Sequence, residues 1–386
     1  MIGVIADDLT GAAEIGAVGL RHGLRAEVVI AGEQGGDADL ICVDTDSRSC
    51  DPTEAAQRAS NAALMLRNCG AEWLYKKTDS VLRGNVTPEI EAVVSQLGRS
   101  GALLVPANPS LGRTVVNGQY FVRGQLIHKT EFAQDPKHPR SSPNVLELLG
   151  KPSALPISVR RSGEPLPERG IVIGDVANSE DLRHWAALRN ENWLMAGGAE
   201  FFGALLKPAP PIPQTRFAHG RELFVCGSAS EATRRFVVIQ LQQGVPVFSL
   251  PEQLTTGVSF DAAGMTSLAE QIAAALRFKS RVVLHVGLPQ VKDVPQAERL
   301  AMYLVRVAET VLRRTLIGNV FAEGGATAAA LARHMGWSRL AVTAELAPGV
   351  VVLSVISGGG QLLTIKPGSY AWPETSRYFA PGSFAS

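Results

Sequence analysis

Short apolar runs separated by segments of helical period constrain this chain more than any other feature. Gly3–Ile5, Glu27–Ile30, Leu40–Val43, Trp73–Tyr75 and Ala102–Val105 are each short enough for a buried strand. Ala12–His22, Thr53–Cys69 and Thr87–Leu97 lie between them with apolar residues at helical spacing. Strands alternating with helices read as crossover units, so the first half is expected to form a doubly wound, mostly parallel sheet. Val115–Val116 and Tyr120–Val122 flank Asn117-Gly118, the strongest two-residue hairpin signal. The proline-bearing stretch Phe132–Asn144 reads as a surface loop of lid length, with disorder the alternative. Ile157–Val159 and Ile171–Ile173 resume the strands, with Glu180–Leu188 and Ala199–Leu206 as helices.

The run Lys207-Pro208-Ala209-Pro210-Pro211-Ile212-Pro213-Gln214 favours an extended, semi-rigid backbone and is the natural linker. It divides the chain into domains 1–216 and 217–386. The second half repeats the α/β pattern: strands at Glu222–Cys226, Val247–Leu250, Arg281–Val286, Val320–Ala322, Leu340–Val342 and Val350–Val355, helices at Glu231–Gln243 and Gln296–Ile317, and a short helix after Thr327.

Basic and acidic residues balance at 37 and 36, a formal net charge of +1, with no like-charge block. Binding a nucleic-acid backbone needs an excess of Lys and Arg on one face, so that partner is not expected. Neither a membrane span nor a secretory leader is legible, and a cytoplasmic protein is expected. Cys42, Cys50, Cys69 and Cys226 lack metal or disulfide spacing and read as buried packing residues. The histidines show no HxH or HExxH pairing, and His285 reads as a hydrogen-bonded core residue.

Polar chemistry gathers where strands end, the edge at which open α/β sheets bind ligands. Asp7-Asp8-Leu9-Thr10-Gly11 follows the first strand. Adjacent carboxylates repel and need a cation, a polyol or a shared proton, although an Asp there also serves as a helix cap. Asp44-Thr45-Asp46-Ser47-Arg48, Lys77-Thr78-Asp79-Ser80 with Arg83-Gly84-Asn85, and Pro106-Ala107-Asn108-Pro109 with Gly112-Arg113-Thr114 repeat this vocabulary at three further strand ends. Together they suit a polyhydroxylated anion, with Lys and Arg taking a carboxylate and Asp and Ser taking hydroxyls. In the second half Gly227-Ser228-Ala229-Ser230 and Glu323-Gly324-Gly325-Ala326-Thr327 join strand to helix, where backbone N–H groups can receive phosphate. Ser357-Gly358-Gly359-Gly360 and Lys366-Pro367-Gly368 add glycine-rich turns. Neither GxxxxGK[ST] nor GxGxxG is present, so any nucleotide is held by another scheme.

These motifs, in this order along nearly the whole chain, resemble the four-carbon acid sugar kinases. The resemblance implies a sugar-acid-binding N-terminal domain and a C-terminal nucleotide-binding α/β domain. It implies ATP-dependent, Mg2+-assisted phosphorylation of the terminal C4 hydroxyl of D-threonate, D-erythronate or 3-oxo-tetronate, and a homodimer or larger assembly. Carried over, it gives Asp7 or Asp8 as the alcohol-activating carboxylate, and Asp8, Arg48, Lys77, Thr78, Asp79 and Ser80 to the acid sugar. Lys77 and Arg83 are expected to hold the substrate carboxylate or the developing phosphate charge. Ser228, Gly324, Gly325, Ala326, Thr327 and Gly368 go to ATP, with no protein-bound metal. The chain departs from the family where Ala326 replaces a Glu, leaving Glu323 as the available substitute, and where Gly368-Ser369-Tyr370-Ala371 replaces a Gly-Gly-Phe-Gly-like turn. Two alternatives stay open on residues alone: a non-catalytic sugar-acid-binding protein with a degenerate nucleotide site, and a haloacid-dehalogenase-like phosphatase built on Asp44-Thr45-Asp46.

Overall fold

The computed structural model describes residues 1–30, 36–135, 138–150, 153–213, 220–256, 261–287, 294–356, 360–368 and 370–373. They fall into two compact units, Met1–Ile212 and Pro213–Ser386. Ser357 to Gly359, Ser369, His219 and the boundary expected near residue 216 lie outside the described residues.

The first unit opens with β1 (Ile2–Ala6), α1 (Leu9–Arg21), β2 (Ala26–Ile30), β3 (Leu40–Asp44), α2 (Pro52–Asn68), β4 (Trp73–Lys77), α3 (Val86–Leu97) and β5 (Gly101–Val105). A hairpin, β6 (Arg113–Val116) and β7 (Gln119–Val122), extends by β8 (Gln125–Leu126) into a small antiparallel sheet. It turns at Asn117 and Gly118, both at positive φ as this turn demands. The short helix α4 (Val145–Leu149), β9 (Ile157–Arg160), β10 (Gly170–Gly174), α5 (Ser179–Ala187), β11 (Trp193–Gly197) and α6 (Ala199–Leu205) complete the unit.

Its main sheet runs β2-β3-β1-β4-β11-β5-β10-β9, every neighbour parallel. β11, unforeseen in the sequence, occupies the middle between β4 and β5; Trp193-Leu194-Met195-Ala196 carries no β-branched residue and follows α5 closely. α2 and α3 pack together on one face, and α1 with α6 on the other. β1 and β4 are therefore adjacent strands whose following helices leave to opposite faces, the topology that opens a crevice at strand carboxyl ends. Sheet alternation turns consecutive side chains to opposite faces. Tyr75 thus meets Phe201 and Phe202 of α6, Lys76 meets Glu89 of α3, and Lys77 meets Glu14 of α1.

The second unit comprises β12 (Glu222–Cys226), α7 (Glu231–Gln242), β13 (Val247–Ser249), α8 (Ala262–Phe278), β14 (Arg281–His285), α9 (Val294–Arg314), β15 (Asn319–Glu323), α10 (Gly325–Met335), β16 (Arg339–Ala347), β17 (Val350–Val355) and β18 (Leu362–Lys366). β13-β14-β12-β15-β18 are parallel, and β17 and β16 continue the sheet antiparallel. Phe224 and Phe321 stack at 4.2 Å with Trp372 edge-on to both, fixing the core of one face.

Two expectations need correction. Cys42 and Cys226 are buried, but Cys50 is half-buried and Cys69 exposed, because the latter two sit outside the strands, in the turn after β3 and at the end of α2. His285 ends a strand rather than crossing the core and is half-buried. No helix among the described residues is long and apolar enough to cross a membrane.

Candidate active site

In the first unit the loops after β3, β1 and β4 leave adjacent strands at the same sheet edge. Backbone bonds couple the first two: Ser47 and Arg48 N–H groups donate to the Asp7 carbonyl. Arg48 then turns its guanidinium on the carboxylate pair. Nε and Nη2 donate to the two Asp7 oxygens at 2.7 and 2.9 Å, and Nη1 donates to Asp8 Oδ2 at 2.7 Å. Asp79 lies 4.0 Å from the same guanidinium and is gripped by Arg83 through Nε at 3.0 Å and Nη2 at 2.8 Å. Adjacent carboxylates are thus tolerated through a planar fork that satisfies both.

Burial alone would push the Asp7 carboxyl up, but the charge and hydrogen bonds of Arg48 hold it below the ordinary carboxylate value. Asp79 is buried too, and Arg83 and Arg48 hold it well below that value. Arg48 is likewise desolvated, yet the charges of Asp7, Asp8 and Asp79 raise it well above its usual value.

Asp8 is helix cap and site residue at once: its Oδ1 accepts from Gly11 N–H at 2.8 Å at the start of α1, while Oδ2 accepts from Thr10 and Arg48. Its side chain is 15% exposed against 4% for Asp7, so Asp8 is the carboxylate a ligand can reach. Lys77 is buried against Glu14 at 3.2 Å, and burial opposes its charge while Glu14 and the nearby aspartates raise its pKa. Thr78 Oγ1 is buried with no hydrogen-bond partner among the described residues.

Arg83 differs from its expected role: with Asp79 held bidentate and Asp135 bound at 3.0 Å, its donors are already committed to carboxylates. Leu82, just before it, has φ +61, an unusual setting for a leucine. Asp46, two residues before Arg48, has φ +47. Both arginine-bearing turns are therefore held out of relaxed backbone by their surroundings.

Three supporting carboxylates went unseen in the sequence. Glu14 meets Lys77, Asp135 ties the turn Glu131–Gln134 to Arg83, and Glu89 pairs with Lys76 at 2.7 Å while accepting from Ser47 at 2.7 Å. Glu89 did carry a signal, as a lone acid on the face of α3 that buries Val86, Ile90 and Val93. Asn85 adds a clamp, donating to the Ser47 and Cys50 carbonyls at either end of the Arg48 turn. Asp44, the first acid of the phosphatase-like triplet, is fully buried and accepts from the Asp46 N–H.

In the second unit the loops after β12, β15 and β18 also leave adjacent parallel strands, with Cys226, Glu323 and Lys366 in register. Ser230 Oγ donates to the Gly368 carbonyl at 2.8 Å, and Gly324 N–H to the Lys366 carbonyl at 2.9 Å. Ser228, Gly324–Thr327 and Gly368 are therefore brought together, with the N-terminus of α10 among them. Gly324 has φ +92 and turns the chain into that helix.

Glu323 is not available to a ligand: it is fully buried, paired with Lys366 at 3.0 Å and hydrogen-bonded by Thr233. Burial pushes its pKa up and that of Lys366 down, against the pull of the pair.

A Cβ on Gly227 would stand 2.0 Å from Thr327 Oγ1. Gly227→Ala is therefore expected to push the two loops apart at a cost of about 1–3 kcal/mol. A lowered melting temperature of the second unit is the expected reading; an unchanged one would show that the two loops tolerate the separation.

Comparison with known proteins finds two domain models in succession. Residues 2–205 match the model of a sugar-binding N-terminal domain, and residues 223–370 that of a nucleotide-binding C-terminal domain. A D-threonate kinase of Salmonella typhimurium LT2 is 30% identical over 383 residues, covering 89% of each chain. A 3-oxo-tetronate kinase of Pseudomonas fluorescens Pf-5 is 27% identical, covering 96% of this chain and 94% of the relative. The crystal structure of a Haemophilus influenzae protein shares the fold, with TM-score 0.73 at 20% identity over 97% of this chain and 98% of its own. With both domain models in order and a relative of this identity along most of its length, the chain belongs to the four-carbon acid sugar kinase family.

Proposed function

We propose that this chain transfers the γ-phosphoryl group of ATP to the C4 hydroxyl of a four-carbon aldonate of the threonate, erythronate or 3-oxo-tetronate type. The observation that carries the reading is the Asp7–Arg48–Asp8 clamp, which holds one partly accessible carboxylate at the end of a central strand.

The Asp8 carboxylate orients the C4 hydroxyl and takes its proton as the oxygen bonds to the γ-phosphorus and the bond to the β-phosphate oxygen breaks, releasing ADP. Arg48 fixes Asp8 and supplies positive charge beside it. Lys77, Thr78, Asp79 and Ser80 supply the polar wall for the acid sugar, and the orphaned Thr78 hydroxyl suits a polyol. Ser228, Gly324, Gly325, Ala326, Thr327 and Gly368 are the residues for ATP, with the α10 N-terminus directed to its phosphates.

Mg2+ is read as an ion carried in on the nucleotide phosphates, where it would neutralise their charge.

The direct test is a coupled ADP-release assay over both enantiomers of threonate and erythronate and over 3-oxo-tetronate. ADP release dependent on one of these acids is expected. Folded, ATP-binding protein inert toward all of them would overturn the reading.

A further inference from the structure

We propose that Arg113 is the side chain that receives the substrate's C1 carboxylate, and so the residue that makes the site select acids over neutral polyols. The inference rests on the kinase reading above and deepens it. Its basis is an accounting of the cations around the loops after β1, β3, β4 and β5.

Arg48 spends three donor atoms on Asp7 and Asp8, and Arg83 spends three on Asp79 and Asp135. Lys76 is sealed against Glu89, and Lys77 pairs with Glu14. Arg140 donates from Nε to the His138 carbonyl and from Nη1 to the Leu82 carbonyl, bracing that segment against the Asp79 turn. Arg140 and Arg113 are thus the two that pair with no carboxylate among the described residues, and of these Arg113 has the fewer side-chain bonds and faces the Ser80 turn. Its Nη1 donates to Ser80 Oγ at 2.6 Å, and among the described residues no carboxylate is paired with it. A guanidinium offers five N–H donors in a fixed fork, so one bond to a hydroxyl leaves a bidentate edge to spare.

Its position is fixed in advance. Residue 113 starts β6, where its backbone exchanges both hydrogen bonds with Asn108, itself buried. The guanidinium carbon lies 5.6 Å from the centre of the Phe132 ring, which supports the cation through one face. Ser80 beneath it belongs to the same turn as Asp79, and its carbonyl accepts from Tyr120 of the hairpin. A carboxylate bound at Arg113 therefore sits beside the Lys77–Ser80 wall.

The test compares wild type with Arg113→Met, Arg113→Gln and Arg113→Lys. KM is measured for ATP and for whichever acid the wild type phosphorylates, and Ki for threitol, a four-carbon polyol without the carboxylate, as competitor. Arg113→Met and Arg113→Gln are expected to raise KM for the acid about 10- to 100-fold. KM for ATP and Ki for threitol should stay within about two-fold, and Arg113→Lys should recover part of the acid KM. Glutamine keeps a donor for Ser80, so a loss shared by both neutral variants separates charge from bracing. An unchanged acid KM, or equal losses toward acid and threitol, overturns the assignment while the kinase reading stands. Wild-type protein inert toward every acid overturns the kinase reading itself.

Discussion

Asp8→Asn is expected to lower kcat by about 10²- to 10⁴-fold, the usual share of a positioned general base, with ATP affinity unchanged and a modest loss of thermal stability from the broken bond to Arg48. Asparagine is the informative replacement because Asp8 has two jobs. Its Oδ1 accepts from Gly11 N–H at the start of α1, and Asn caps a helix about as well as Asp. The amide therefore preserves the cap, removes the charge and the proton acceptor, and turns a donor toward Arg48 and Thr10 in place of the oxygen they bind. Alanine would confound the two by also uncapping α1 at about 1 kcal/mol. Asp7→Asn serves as the contrast: that side chain is nearly inaccessible and takes two of the three Arg48 bonds. Its loss should appear chiefly in stability. The measurements are steady-state kcat, ATP binding by calorimetry and a melting curve. Undiminished kcat in Asp8→Asn would remove Asp8 from the chemistry, and lost ATP affinity would contradict the assignment of ATP to the second unit.

The motifs at strand ends were legible because their local logic is one-dimensional. An apolar run, then a carboxylate, hydroxyl or glycine, then helical period describes the loops after β1, β4, β12 and β15 without any tertiary knowledge. The partners of those motifs were not legible. Glu14, Glu89 and Asp135 reach the site from a helix face or a distant loop, and only the fold places them. That missing information changed roles: Arg83 looks like a free cation in sequence and is bound by two aspartates in space, whereas Arg113 looks like one more loop residue and, among the described residues, pairs with no carboxylate. β11 and β18 were missed for a related reason. Trp193–Gly197 has no β-branched residue and Leu362–Lys366 is a short run beside a glycine-rich segment, and sheet partners on both sides specify them instead.

Arg48→Met is expected to destabilise the first unit by about 3–5 kcal/mol at pH 7, the usual cost of removing one partner from a buried ion pair. An exposed ion pair contributes only about 0–1 kcal/mol. The size follows from what is stranded: Asp7, nearly inaccessible, loses both bonds from the guanidinium and keeps only the charges of lysines such as Lys76 and Lys77 in its favour. Asp79 keeps Arg83. The pH dependence fixes the cause. In the wild type the folded pKa values of Asp7 and Asp79 lie below the usual carboxylate value. Their contribution is complete above about pH 4 and fades as pH falls through the folded values. Without Arg48, burial turns the Asp7 shift upward, so the folded variant binds the proton more tightly than the unfolded chain does and gains stability on acidification. The gap between wild type and variant should therefore be widest near neutrality and narrow toward pH 4.5, as read by urea unfolding at the two values. A gap independent of pH would mean that lost packing, rather than a stranded charge, sets the cost. Adding Asp7→Asn to Arg48→Met removes the stranded charge and should recover part of the stability, with Asp8 still unsupported and turnover still absent. That separation would show that one guanidinium both holds the loops of the fold together and keeps the reacting carboxylate in place.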